Sequence, residues 1–116
     1  MSDLDDLRQR LRTFAAARDW EQFHTPKNLS MALIAEAAEL VEHFQWLTEA
    51  ESAALSDEQR AAVALELADV LLYLVRIADR LGIDLYPAAV RKLAINEARY
   101  PADAVRGSAK KYSDAD

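Results

Sequence analysis

An all-α fold, four-helix bundle-like and oligomeric, is predicted by three observations. Apolar residues recur at steps of three and four over four long segments. Only 2 Gly and 3 Pro occur in 116 residues, too few for a turn-rich β fold. Two of the segments are apolar nearly all round, which places them at the centre of a bundle or in a subunit interface.

The first helix spans residues 2–19, where Leu4, Leu7, Leu11, Phe14 and Ala15 share a face. Asp19 to Lys27 reads as a connector carrying Trp20 and Phe23, with Thr25-Pro26 breaking any helix. Asn28 or Ser30 caps the second helix, which runs to about Leu47. Thr48 to Leu55 is a polar, acidic loop. Ser56-Asp57-Glu58-Gln59 has the form of a capping box and opens a long helix from Asp57 to about Leu81, closed by Gly82 at C′. Pro87 suits the first turn of a fourth helix ending near Arg99, before Tyr100-Pro101. The length points to one domain over residues 1–101, followed by an extended tail over 102–116.

Net charge is −6, which argues against a nucleic-acid polymer as partner, since that needs a basic face. There is no cysteine, so neither disulfides nor thiolate metal sites are available; a reducing cytoplasm fits. No apolar run is long enough to cross a membrane, and the first residues are acidic, unlike a signal peptide.

The chemistry concentrates in two acid pairs. Glu36 and Glu39 lie within Leu33–Val41, and Glu66 and Asp69 within Leu65–Leu72. Residues three apart on a helix are separated by about 60° and share a face. From Asn28 to Gln59 there is no Lys or Arg, so local ion pairing does not account for Glu36 and Glu39. Four carboxylates on oily helices suit a hard cation, Mg²⁺ or Mn²⁺, and such ions usually act on phosphates. A solvated acidic face is the plain alternative. A ferritin-like di-iron site requires a Glu-x-x-His step on two helices, whereas the acid-bearing helices here carry Glu-x-x-Glu and Glu-x-x-Asp, and His43 is not three residues after a Glu. On the long third helix Glu66, Asp69, Tyr73, Arg76 and Arg80 form one polar stripe; on the second, Glu36, Glu39 and His43 form another, His43 being either a ligand or a structural side chain. Lys92, Asn96 and Arg99 share a face of the fourth helix and suit phosphate oxygens, or else form a surface stripe. Trp20, Phe23, Phe44, Trp46 and Tyr73 offer rings that stack on a nucleobase or fill a core.

Taken in order, Glu36-x-x-Glu39 and Glu66-x-x-Asp69 with Arg18–His24, Asn28-Leu29, Phe44-Gln45-Trp46, Asp69–Val75, Arg99–Pro101 and Arg106–Tyr112 resemble the MazG-like all-α nucleoside triphosphate pyrophosphohydrolases, and within them the dCTP pyrophosphatase branch. The resemblance implies hydrolysis of a deoxynucleoside triphosphate, dCTP or a modified dCTP, to the monophosphate and pyrophosphate. It implies metal ligation by Glu36, Glu39, Glu66 and Asp69; of these, Glu39 and Glu36 are our candidates for catalysis, Glu39 both touching metal and orienting water. It implies triphosphate contacts from Lys92 and Asn96, a sugar- or phosphate-proximal Tyr73, and base enclosure by Trp20 and Trp46. Leu11 stands where relatives acting on cytosine nucleotides carry a base-touching histidine. A homotetramer with sites near subunit interfaces is implied, together with a role in nucleotide-pool sanitation. The competing readings are a non-catalytic helical oligomerisation module and a same-fold hydrolase acting on another nucleotide such as dUTP.

Overall fold

The computed structural model describes residues 2–109, and every regular element among them is helical. Helix α1 is Asp3–Ala17, α2 Pro26–Glu42, α3 Glu49–Ser52, α4 Asp57–Arg80, α5 Leu85–Arg99 and α6 Ala102–Val105; a single 3-10 turn occupies Glu21–Phe23. The chain divides into two compact units, Met1–Ile83 and Asp84–Asp116. In the first, α4 is the central element, with α1 and α2 both packed on it. The second contains α5 and α6.

Local chemistry explains most helix ends. Ser56 accepts from the Gln59 N–H at 3.1 Å while the Gln59 side chain accepts from the Ser56 N–H at 2.9 Å, the reciprocal box expected ahead of α4. Gly82 follows α4 at φ +66°, a left-handed conformation that costs glycine little. Four stretches depart from the sequence expectation, among them the end of α2, which stops at Glu42 rather than near Leu47. Thr25-Pro26 does not break a helix but starts one: the Thr25 hydroxyl accepts from the Asn28 N–H at 3.2 Å, and Pro26 takes the first helical position, where its missing N–H costs nothing. The polar loop after residue 48 contains α3, held by a second capping box between Thr48 and Glu51. The segment after Pro101 is not wholly extended, since α6 forms one helical turn there; the expected tail residues Lys110, Lys111 and Tyr112 lie outside the described residues.

The core is thin. Ala15, Leu29, Val63, Val75 and Ala78 are its buried apolar residues, whereas Met31, Ile34, Val41, Leu65 and Leu67 on α2 and α4 are more than half exposed. Among the described residues one charged residue is buried amid this core, Arg76, only 4% exposed. Its Nη1 pairs with Asp79 Oδ2 at 3.4 Å, and Arg12 from α1 grips the same carboxylate with two N–H groups, Nε at 2.8 Å and Nη2 at 2.5 Å. The Arg12 guanidinium holds the Asp79 carboxyl below its ordinary value, against the opposing effect of burial. This fork staples α1 to α4.

Candidate functional site

Glu36 and Glu39 descend from one face of α2, and Glu66 meets them from α4. Carboxylate oxygens of all three lie within 4.8 Å of one another. Glu36 and Glu66 are half-buried, while Glu39 stands at the exposed rim. Asp69, one turn beyond Glu66, is exposed and close enough for its charge to act on Glu36. Glu36 Oε2 and Glu66 Oε1 are shielded from solvent and find no hydrogen-bond partner among the described residues. Shielded, unpaired carboxylate oxygens are costly. Three converging carboxylates supply only hard oxygen donors, so the residues fit a divalent cation such as Mg²⁺ or Mn²⁺. His43, at the end of α2, does not join the cluster.

Crowding of like charges shows in the proton affinities. Glu66 is pushed up to about 7, first by a hydrogen bond shared with Glu36, then by burial and by Glu39. Glu36 is also raised: the bond shared with Glu66 alone would lower it, but burial, Glu39 and Asp69 outweigh that. Because Glu66 binds its proton more tightly folded than unfolded, its contribution to stability is complete below pH 4.5 and is lost as pH rises to about 7. In chelator, the melting temperature is therefore expected to fall between pH 5 and pH 7.5. A saturating divalent cation should reverse that slope, because the cation displaces the proton. A flat metal-free profile would show that the three carboxyls do not interact.

Beside the acids a cavity of about 230 Å³ opens between α1, α4 and the connector. Asp69, Leu72, Tyr73 and Arg76 line it from α4, Leu11 and Phe14 from α1, and Trp20, His24 and Leu29 from the connector and α2. The connector is shaped by Asp19 at φ 54°, which turns the chain so that the Trp20 N–H bonds the Ala15 carbonyl at 3.0 Å. Trp20 then meets Phe14 edge to face, with centroids 5.6 Å apart. Thus Trp20, Tyr73 and Asp69 share one cavity. Trp46 does not line it: it follows α2 in a turn and is 87% exposed. Lys92 and Asn96 belong to α5 in the second unit, the lysine exposed and the asparagine half-buried. His24, Phe14 and Arg76 gained no role in the cavity from the sequence. The signal for Arg76 was its place seven residues after Asp69 on one stripe.

Residues 32–115 match the MazG-like family. The chain is 50% identical over 113 residues to dCTP pyrophosphatase 1 of Rattus norvegicus and 49% identical over 113 residues to that of Homo sapiens. Each match covers 96% of this chain and 66% of the relative, so the chain spans just under two thirds of the length of these proteins. Its fold is similar to the crystal structure of a pyrophosphatase from Archaeoglobus fulgidus DSM 4304, with a TM-score of 0.82 and 37% identity over 87% of this chain and 94% of that one.

Proposed function

This chain belongs to the MazG-like family, and from that premise we propose that it is a magnesium-dependent nucleoside triphosphate pyrophosphohydrolase that converts dCTP, or a modified dCTP, to the monophosphate and pyrophosphate. The observation that carries this reading is the convergence of Glu36, Glu39 and Glu66, two of them with shielded and unpaired oxygens, beside a cavity lined by Asp69, whose charge acts on Glu36. The nucleotide is taken from the relatives, which are dCTP pyrophosphatases.

Glu36, Glu39, Glu66 and Asp69 would hold Mg²⁺, with Mn²⁺ as an alternative. The bound ion supplies neutralisation of phosphate charge and acidification of water. Glu39, at the exposed rim, orients water toward the α-phosphorus and accepts its proton. Trp20 stacks on the base and Tyr73 lies along the sugar. Lys92 and Asn96 steady the β- and γ-phosphates, and Trp46 encloses the base in the assembled oligomer. No covalent nucleophile is required. In water enriched in ¹⁸O the label is expected in dCMP and not in pyrophosphate. Label in an orthophosphate product would sink the assignment.

The thin core favours a homo-oligomer, a tetramer as the family resemblance implies: so many exposed apolar side chains on α2 and α4 call for partners. Light scattering is expected to give a mass near four times 13.0 kDa, and a monodisperse monomer would refute it. Among the described residues no helix is long and apolar enough to cross a membrane. A cytoplasmic role in cleansing the nucleotide pool fits these features. Leu11 lines the cavity and offers no hydrogen bond to the base. A turnover panel is therefore expected to show a profile that is not cytosine-only, with methylated or oxidised pyrimidines accepted; strict dCTP turnover would show that Leu11 is irrelevant.

A further inference from the structure

We propose that Arg76 reads the nucleobase, its Nη2 group donating to a carbonyl oxygen or an unprotonated ring nitrogen of a base held in the cavity. The inference rests on the reading of that cavity as a nucleotide site and adds to it the residue that recognises the base.

Four observations carry it. Arg76 is 4% exposed and lines the cavity, so its donors face ligand or protein rather than bulk water. Two of its three nitrogens are occupied: Nε donates to His24 Nδ1 at 3.2 Å and Nη1 to Asp79 at 3.4 Å. Nη2 is shielded and finds no partner among the described residues. Arg76 also lies seven residues beyond Asp69 on α4, hence on the same face and about 10 Å further along the helix. Asp69 borders the acid cluster that would take the phosphates. The far end of the cavity, where Arg76 waits, is therefore where the outer edge of a base would arrive.

The surrounding chemistry selects a neutral acceptor. A guanidinium only donates. The cavity, at about 230 Å³, is smaller than the roughly 300–1,000 Å³ that encloses a drug-sized ligand, so it takes a ring and not a whole nucleotide. Leu11, Phe14, Leu29 and Leu72 would strip water from a phosphate without replacing it. A base offers what remains: a flat face for Trp20 and an acceptor for Nη2. Cytosine presents two adjacent acceptors, O2 and N3. The guanidinium is also pre-set for the task. His24 accepts through Nδ1 and so carries its own proton on Nε2; burial and the Arg76 charge keep it from gaining a second. Asp79, braced by Arg12, fixes the other edge.

The test compares dCTP with deoxyribose 5-triphosphate, which has the same phosphates and sugar but no base, in the wild-type protein and in Arg76→Lys. Loss of a charge-assisted bond to the base is expected to lower kcat/KM for dCTP roughly 10- to 100-fold and that for the baseless compound by much less. Equal losses on both would make Arg76 a structural residue and overturn the proposal. The wild-type protein gives a second readout, independent of whether the variant folds. With Ca²⁺ present, dCTP should shift the ¹⁵N resonances of the Arg76 side chain, assigned through its own backbone, and deoxyribose 5-triphosphate should not. If dCTP stabilises the protein thermally but leaves those resonances in place, the base-reading role fails while the nucleotide site stands. If dCTP neither binds nor is hydrolysed, both readings fall.

Discussion

Glu66→Gln is expected to lower pyrophosphate release by about a thousandfold or more, which corresponds to ~4 kcal/mol of transition-state stabilisation, and at the same time to raise the melting temperature of the metal-free protein at pH 8. The two effects share one cause. Glu66 shares its hydrogen bond with Glu36 and lies close to Glu39, and this crowding pushes its carboxyl up to about 7. At pH 8 it is ionised in a place that disfavours the charge. Glutamine keeps the shape and removes the charge, so the empty cluster relaxes; the same amide is a poor ligand for a hard cation. At pH 5 Glu66 is already protonated in the folded protein, so the stabilisation should vanish there while the loss of activity remains. Enzymes commonly hold stability in reserve at such sites. Scanning calorimetry in chelator at the two pH values, with a pyrophosphate assay in Mg²⁺, checks both halves. A variant that is inactive and also less stable at pH 8 would show that Glu66 supports the fold and not a metal.

Asp79→Ala is expected to have the largest effect on stability, a loss of about 2–4 kcal/mol. Among the described residues Asp79 is the carboxylate that pairs directly with the buried Arg76, and it also ties α1 to α4 through Arg12. Its removal leaves a guanidinium in the core with its charge unmatched. The half-exposed Arg12 side of the pair contributes less, because water screens it, and the figure stands below the upper end seen for fully buried pairs for that reason. For a domain of this size the midpoint should fall by about 10 °C or more. The pH dependence runs opposite to that of Glu66. Asp79 has a depressed carboxyl in the folded protein, so its contribution is present above 3.8, the ordinary value, and is lost as pH falls through the folded value. Wild type and variant should therefore converge in strong acid. An unchanged midpoint at pH 7 would show that the α1–α4 staple carries little weight.

Much of the architecture was legible in local pattern. The period of three and four along Leu33–Val41 and Leu65–Leu72 puts each pair of acids on one face whatever the rest of the chain does. The box at Ser56 and the glycine at 82 mark the ends of α4 through contacts spanning three or four residues. Where local pattern misled, the same short-range chemistry had a second use. Pro26 carries the signal of a stop, although a proline is equally at home in the first turn of a helix after a capping threonine. Thr48 and Glu51 form a box in a stretch whose polar composition otherwise signals a loop.

What the amino-acid order determined by itself was the four long helices, their faces, and the grouping of two carboxylates on each of two oily surfaces, because those follow from backbone periodicity and from partners a few residues away. What only the tertiary structure decided was which side chains far apart in the chain became neighbours. Glu66 joined Glu36 and Glu39, Arg12 found Asp79 across 67 positions, and Arg76 found His24 across 52. A single sequence carries no distance between such residues. The packing of α1 and α2 on α4 sets it, and with it the difference between a polar residue on a stripe and a buried donor facing a cavity.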